Sequence, residues 1–326
     1  MHSFDVKDRK ILYYLSKNSR MSHTELSRLV KLSKNAVKYR IERLQKEGVI
    51  TKFAAVVNIG ALGLTTVALL LRFNEDIYEH KEIIEYFRNH PMADWVISLS
   101  GHWDLFVELI VSDFDSLSAI IKDITTKFST SLNTYQMFVF RENLRVEHLI
   151  SEFYQDLDME EQAQAPRTRG IHEIDNTDKQ ILQVLNLDSS TPYLQIAQQL
   201  GLTIDVVRYR IKNLVNKGII IKFFSEISLR KLGYQEYLYT IRLKDISSEK
   251  MNQIQQNIRT NPNITYAFLD MTSFNIIFVC AFKTSEGIDK LSRDLRKQYS
   301  RVIEKQDYLI IKEQILFNLF PRGLVD

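Results

Sequence analysis

The chain has 326 residues, of which 45% are hydrophobic and 25% are charged. Its ten glycines and five prolines are too few for a collagen-like or largely disordered protein, and its length suits two or more domains. The formal net charge of +3 is too small to indicate a nucleic-acid partner by itself.

Membrane, disulfide and metal classes are also disfavoured by the sequence. No apolar run approaches the roughly eighteen residues of a membrane span, and no targeting signal is recognisable, so we expect a cytoplasmic protein without a membrane partner. The lone Cys280 excludes an internal disulfide framework. Phosphate-loop, dinucleotide-fingerprint and His/Cys metal-ligand patterns are absent, so the sequence predicts no cofactor and no metal.

An internal repeat sets the domain boundaries. The sequence matches itself at an offset of 170 residues, without a gap from Asp8/Asp178 to Gly63/Gly233. The chain is therefore a tandem duplication, and we call its two copies the first and the second unit. The predicted domains are a first helix-turn-helix (1–53), a first sheet domain (54–141), a helical extension and linker (142–170), a second helix-turn-helix (171–224) and a second sheet domain (225–326).

Each unit begins with three predicted helices. In the first unit a helix over Asp8–Ser16 precedes a capping-box pattern at Ser22–Glu25, and Ser33 caps a third helix that ends at Gly48. The second unit repeats this plan, with Thr191 as a cap, Pro192 as the first helical residue and Thr203 as the next cap. A strand-like run follows each glycine, so each unit is predicted to open with a winged helix-turn-helix.

The third helix of each unit, here called the reading helix, carries the candidate DNA contacts. Its core side is defined by Val37, Ile41 and Leu44, which leaves basic and amide side chains facing outward. Such side chains pair with base edges in the major groove. For Arg40 and Arg210, near the core edge, an internal salt bridge is an equal alternative. The candidate residues are Ser33, Lys34, Asn35, Lys38, Tyr39, Arg40, Arg43, Lys46, Thr203, Arg208, Tyr209, Arg210, Lys212 and Asn213.

The charge is distributed unequally between the two helix-turn-helix regions. Residues 1–53 carry a net charge of +8, whereas residues 171–224 carry +1. We therefore expect the first region to dominate DNA binding, with phosphate contacts from basic residues outside the reading helix. These candidates are Lys7, Arg9, Lys10, Lys17, Arg20, Arg28 and Lys31.

The rest of each unit alternates between strand and helix periodicity in the order βαββαβ. This order predicts an α+β protein in which each winged helix-turn-helix precedes a ferredoxin-like domain, with a bare sheet face available for association. The predicted elements are 65–73, 76–89, 93–99, 103–111, 114–128 and 132–140 in the first unit, and 236–243, 248–260, 264–269, 274–282, 285–299 and 303–312 in the second.

The whole pattern resembles the Lrp/AsnC family of transcriptional regulators. The resemblance is carried by the helix-turn-helix, the Leu62-Gly63 and Leu232-Gly233 pairs, and the Gly-x-x-Asp turn within Ser100–Leu105. It implies dimerisation through the sheets, further assembly, and an amino acid or related small molecule bound near that turn.

By this resemblance the candidate effector residues are Gly101, His102 and Asp104, and the alternative is a plain hairpin turn with an exposed acid. The second unit has Thr272 and Asn275 in place of the glycine and the aspartate. We therefore expect an effector site only in the first unit.

Three functions remain open at this point. The leading hypothesis is a double-stranded-DNA-binding transcriptional regulator, not an enzyme, whose fused units form an intrachain pseudo-dimer that associates further into homo-oligomers. The alternative is a siroheme decarboxylase-like enzyme, since such enzymes resemble fused Lrp/AsnC pairs. A third possibility is a regulator whose second unit supplies only a dimerisation surface.

Overall fold

The computed structural model describes residues 4–78, 81–157, 159, 170–244, 247–271 and 276–325. Most of the linker predicted over 156–170 lies outside the described residues. None of the described helices is long and apolar enough to cross a membrane.

Three helices open each unit, as the sequence predicts. They are α1 (Val6–Lys17), α2 (His23–Val30) and α3 (Lys34–Lys46), then α6 (Asn176–Leu187), α7 (Tyr193–Leu200) and α8 (Ile204–Asn216). The hydroxyl of Ser33 caps α3 by accepting from the Ala36 amide at 3.2 Å. The start of α7 differs from the expectation: Pro192 is its N-cap residue, and the Thr191 hydroxyl donates to the carbonyl of Asp188 instead.

The strand after each helix-turn-helix pairs with its counterpart in the other unit. Strands β1 (Ile50–Val57) and β6 (Ile220–Ile227) form an antiparallel ribbon in which Ala54 lies opposite Phe224, the residue 170 positions later. A strand that pairs with its own copy around equivalent residues places a pseudo-twofold axis at that point. The ribbon therefore joins the two units.

Each sheet domain has the predicted βαββαβ order. The first contains β2 (Thr65–Phe73), α4 (Lys81–Arg88), β3 (Ala93–Ser100), β4 (Leu105–Val111), α5 (Phe114–Lys127) and β5 (Leu132–Val146). The second contains β7 (Gln235–Leu243), α9 (Ser248–Thr260), β8 (Ile264–Asp270), β9 (Ile276–Phe282), α10 (Ser285–Tyr299) and β10 (Ile303–Phe317).

The last strand of each sheet is longer than predicted, and its extension pairs with the other sheet. The end of β5 pairs with β8, and the end of β10 pairs with β3, so the eight strands form one closed sheet. The start of the predicted helical extension is consequently strand up to Val146, and two 3-10 turns follow at Ser151–Phe153 and Gln155–Leu157.

The bare faces of the two sheets pack against each other inside this closed sheet. Trp95 and Tyr266, which are equivalent in the repeat, meet there with their ring centroids 5.1 Å apart. The hydroxyls of Ser19 and Ser189, another equivalent pair, lie 2.8 Å apart between the helix-turn-helix regions. The two units thus form a pseudo-dimer within one chain. The bare sheet faces, which the sequence predicts to mediate association, are covered by each other.

Each helix-turn-helix packs on the sheet domain of the other unit. The core around α1 includes Ile227 and Tyr234, together with Leu149 and Phe153 from the segment after β5. The core around α6 includes Ala55, Ile59 and Phe320. This exchange follows from the ribbon, which carries each chain segment across the pseudo-twofold axis.

Candidate nucleic-acid interface

The reading helix of the first unit, α3, presents a polar face to solvent. Val37, Ile41 and Leu44 are buried against α1 and α2. The opposite face is exposed and includes Tyr39, with 66% of its surface accessible. The other exposed candidates on this face are Ser33, Lys34, Asn35, Lys38 and Lys46. Lys38 has Glu42 as a distant ion-pair partner at 3.7 Å, which leaves its ammonium accessible.

Arg40 and Arg43 are held by the buried carboxylate of Asp8 instead of facing solvent. Arg40 donates to Asp8 at 2.7 Å and to Asp5 at 2.8 Å, and Arg43 contacts the other Asp8 oxygen at 2.7 Å. The two aspartates raise the pKa of Arg40 against the opposing effect of burial, which here is the largest single influence. Arg43, which the helical wheel places outward, is therefore half-buried and fixes α3 to α1.

The reading helix of the second unit, α8, repeats the scaffold with a less basic face. Arg210 binds Asp175 at 2.7 Å and Asp178 at 2.9 Å, in the manner of Arg40. Asn213 is half-buried at the position of Arg43. Exposed candidates are Thr203, Arg208, Tyr209 and Lys212, and Arg208 pairs with Asp205 at 3.1 Å. The exposed face also carries three apolar side chains, Ile204, Val206 and Val215.

Four of the seven basic residues expected to contact phosphates are instead engaged within the chain. Lys7 donates to the Val30 carbonyl at 2.6 Å, and Lys17 pairs with Glu147 at 2.9 Å. Arg9 donates to the carbonyl of Phe153 and to Asp156, and the interaction with Arg9 lowers the pKa of the Asp156 carboxyl. These three side chains fasten the first helix-turn-helix and the segment after β5 in place.

Arg20, the fourth of these residues, fastens the two helix-turn-helix regions to each other. Its guanidinium donates to the carbonyls of Ser189 and Thr191 and lies 4.6 Å from the ring centroid of Tyr193. These basic residues are predicted to contact phosphates because the sequence alone does not show that other parts of the chain cover α1. Of the remaining candidates, Arg28 and Lys31 are exposed and Lys10 is half-buried.

The candidate effector turn is a tight hairpin between β3 and β4. Gly101 has φ +142°, which other residues adopt only with strain, and a Cβ there would lie 2.6 Å from the Leu309 side chain, which would have to move. The Asp104 carboxylate accepts from the Phe73 amide at 2.8 Å and thus fixes the turn to the end of β2. His102 is 3.4 Å from Asp307 of the second sheet, beside a cavity of about 80 Å³. Thr272 and Asn275 lie outside the described residues.

A second polar group, not foreseen from the sequence, lies inside the closed sheet. Asp94 and Glu108 are buried on neighbouring strands, β3 and β4, and are hydrogen-bonded to each other. Each is an acid in an otherwise apolar strand, and that pattern is the signal that could have revealed them. Burial raises the pKa of Asp94 to about 7 and that of Glu108 well above its usual range.

Comparisons with known proteins agree with the helix-turn-helix geometry. The family model described as winged helix-turn-helix DNA-binding matches residues 4–51 and again 174–221. An uncharacterized HTH-type transcriptional regulator of Pyrococcus horikoshii is 34% identical over 117 residues, which are 36% of this chain and 73% of the relative. The HTH-type transcriptional regulator LrpA of the same organism is 33% identical over 125 residues, 38% of this chain and 87% of the relative.

Solved structures of one protein match both units at once. The crystal structure of the siroheme decarboxylase NirDL aligns with a TM-score of 0.65 over 98% of this chain and 96% of that chain, at 13% sequence identity. At this identity the match shows a shared fold of two fused units and nothing about shared chemistry.

Proposed function

The chain belongs to the Lrp/AsnC family of transcriptional regulators, and from that membership we propose that it is a sequence-specific regulator of double-stranded DNA in which one chain supplies both reading helices. The observation that carries the proposal is the exposed basic and amide face of α3 on a helix-turn-helix that recurs across a pseudo-twofold axis. This is the arrangement by which dimeric helix-turn-helix proteins address two half-sites.

In this proposal the two half-sites differ. Asn35 and Lys34 of α3 correspond to Asp205 and Ile204 of α8, so the two helices offer different groups to base edges. A homodimer reads a palindrome because its subunits are identical, whereas this chain requires only an imperfect inverted repeat. The half-site contacted by α3 would contribute the larger share of affinity, because its face bears more exposed lysines.

The enzyme alternative is less well supported by the interior of the molecule. A siroheme decarboxylase must hold a tetrapyrrole with many carboxylates. The cavity of about 640 Å³ inside the closed sheet is lined by Asp94 and Glu108, and its rim arginine Arg259 is already paired with Glu142 at 2.6 Å. Buried acids disfavour a polyanion. The fold shared with NirDL is the reason to consider the enzyme alternative. The acids in the cavity wall disfavour it.

The test is a binding assay on the full chain with genomic fragments, followed by footprinting of the fragment bound most tightly. We expect specific binding that weakens steeply with salt, with a slope in log K near −0.9 per neutralised phosphate. Addition of siroheme should leave its visible absorption spectrum unchanged. A shifted spectrum together with salt-insensitive, sequence-independent DNA binding would replace the regulator by the enzyme.

We further propose that the turn at Gly101, His102 and Asp104 is the effector site of the first unit. Because Asp104 also supports the turn, Asp104→Asn is the informative variant: its amide oxygen still accepts from Phe73, and its charge is gone. Calorimetry with amino acids should show binding to the unaltered chain and none to Asp104→Asn. Equal binding by both proteins would leave Asp104 as a structural residue of the hairpin.

Further homo-oligomers would have to form through other surfaces than those of a family dimer. In the described strands, both edges of each sheet are paired within the chain and both bare faces are covered. We therefore expect light scattering to give a mass that is above that of one 38.3 kDa chain and that rises with protein concentration.

A further inference from the structure

A cavity of about 640 Å³ lies between the two units, beside the end of β1. Aromatic side chains form much of its wall: Trp95, Phe317, and the stacked pair Phe140 and Phe268, whose ring centroids are 4.4 Å apart. Exposed residues at its rim, including Met271, connect it to solvent. The cavity thus combines an aromatic wall with polar groups and is reachable from outside.

The acid pair Asp94 and Glu108 lies in the wall of this cavity because the β3–β4 ladder is irregular there. Ala93 pairs with Leu109 and Trp95 pairs with Glu108, so Asp94 is the extra residue of a bulge. Ala93 and Val96 pack outward under the helices, while Trp95 and Ile97 point inward. The inward and outward alternation of side chains along β3 changes phase at this bulge. The bulge thereby brings Asp94 beside Glu108.

Apart from the hydrogen bond between the two acids, three buried polar atoms at this cavity have no hydrogen-bond partner among the described residues. They are Oδ1 of Asp94, Oε2 of Glu108 and Nε2 of His148. The side chains belong to residues that are 4%, 7% and 4% exposed. Buried polar atoms are normally satisfied, and leaving one unpaired is unfavourable. Three such atoms lining one cavity point to a group that completes their hydrogen bonds.

The equivalent place in the second unit lacks the acids. Trp95 and Glu108 correspond in the ladder to Tyr266 and Val279, and Thr265 takes the place of Asp94. A smaller cavity of about 280 Å³ lies there, on the other side of the Trp95–Tyr266 pair. The fold therefore does not require acids at these two positions, although the smaller cavity has acids of its own at Glu226 and Glu236.

We propose that this cavity binds a small organic cation: an ammonium group held by Asp94 and Glu108, attached to a hydrophobic or aromatic body that contacts Trp95 and the neighbouring rings. Carboxylates are the strongest acceptors for an ammonium, and aromatic faces attract cations as well as apolar groups. A metal ion suits the site less well, because no cluster of three metal-ligating side chains occurs in the described part of the chain.

Binding of a cation would be coupled to proton release. Burial raises the pKa of both acids, and the charge of Asp94 raises that of Glu108 further, so the empty pair retains at least one proton near neutral pH. An ammonium at the pair favours the fully ionised form and expels that proton. The other charged or titratable groups around the pair are Lys52 on β1, Arg141 and Glu142 on β5, His148, Arg259 on α9 and Tyr266 on β8.

These neighbours do not provide the missing cation. Lys52 donates to the Phe317 carbonyl at 3.2 Å, and burial lowers its pKa. His148 is bonded to the Tyr266 hydroxyl at 2.6 Å, and burial lowers its pKa well below the usual range, which keeps it neutral. The acid pair therefore lacks an internal counter-ion in direct contact.

The experiment is calorimetry on the full chain with phenethylammonium as the probe, beside phenethyl alcohol and 3-phenylpropionate as neutral and anionic probes of similar size. We expect phenethylammonium alone to bind at millimolar concentrations or below. In two buffers of different ionisation enthalpy, the observed heats should differ because a proton is released. The affinity should rise as the pH passes upward through about 7, the pKa of Asp94.

Two variants separate the acid pair from its surroundings. Asp94→Asn with Glu108→Gln keeps the shape and removes the charge, and it should weaken binding at least tenfold, or 1.4 kcal/mol, and abolish the proton release. Glu236→Thr, which removes an acid from the smaller cavity and introduces the residue found at Thr66, should bind like the unaltered chain.

The outcomes that overturn the proposal are equally specific. They are no binding of phenethylammonium at millimolar concentrations, equal binding of the alcohol or the carboxylate, or undiminished binding by the Asn/Gln variant. Should the double variant fail to fold by circular dichroism, the single variant Glu108→Gln is measured under the same criteria. These results do not depend on DNA binding, which is assayed separately.

Discussion

The two helix-turn-helix regions share a scaffold and differ in what their basic residues do. In both, a buried aspartate of the first helix holds an arginine of the reading helix, Asp8 with Arg40 and Asp178 with Arg210. In the first region most of the additional basic side chains form hydrogen bonds or ion pairs within the chain. The net charge of a domain is therefore a poor measure of its DNA-binding face, and the exposed side chains of α3 and α8 are the better comparison.

The largest difference should be seen in DNA affinity. Replacing Lys34, Lys38 and Lys46 by alanine should weaken specific binding roughly hundredfold, since each lost contact costs about 1 kcal/mol or more. The matched triple Ile204, Arg208 and Asn216→Ala in α8 should cost about threefold, because it removes one exposed cation. Fluorescence anisotropy with a labelled operator measures both. Equal losses would mean that the two faces contribute alike.

A smaller difference should appear in local stability. Asp8→Ala leaves Arg40 and Arg43 without their buried partner and should destabilise the first region by about 2 kcal/mol. Asp178→Ala removes the buried partner of Arg210 only, because Asn213 stands where the first unit has its second arginine. This variant should lower the free energy of unfolding by about 1 kcal/mol. Hydrogen exchange of α1 and α6 reports each region separately. If α6 loses more protection than α1, the second arginine contributes nothing to the scaffold.

Arg20 offers a test of the contact between the regions. Arg20→Ala removes two hydrogen bonds and a stacking contact on Tyr193, and we expect about 1 kcal/mol of lost stability together with faster exchange of backbone amides near Ser189. Arg28→Ala, on an exposed site of the same region, is the matched control and should leave that exchange unchanged. Identical exchange in both variants would argue against the contact.

The smallest expected effect is on how the stability of the chain depends on pH, through acids buried between the two sheets. The raised pKa values of Asp94 and Glu108 mean that the native chain keeps protons that the unfolded chain releases above about pH 4. The contribution of Asp94 is therefore fully present below about pH 4 and is lost as the pH rises through about 7, and that of Glu108 is lost in the same direction as the pH rises through its own raised pKa. The fall in stability with rising pH should be less steep in Asp94→Asn with Glu108→Gln.

Glu236→Thr extends the same comparison to the second unit. Burial raises the pKa of Glu236 to about 7, so its removal should also flatten the pH dependence, by less than removal of the pair. The effect of His148 has the opposite sign and is common to all these proteins, so differences between their denaturation curves isolate the acids. A steeper curve in either variant would contradict the raised pKa values.

Local periodicity predicted most of the elements. The predicted strand 65–73 and helices 248–260 and 285–299 coincide with β2, α9 and α10. The sequence predicts a glycine-requiring turn at Gly101, and the structure shows a positive φ there, while its role as an effector site stays a prediction. The proposed roles of the DNA-facing residues remain predictions, and the structure adds which of them are exposed.

The sequence by itself determined the duplication, the helix-turn-helix scaffold and the βαββαβ order, because these depend on apolar periodicity, caps and repeats that act over a few residues. Only the tertiary structure decided where the two units meet. The ends of β5 and β10 become strand because the other sheet offers a free edge. In the same way, a bulge turns Asp94 toward Glu108, and Arg9, Lys17 and Arg20 find partners more than a hundred residues away.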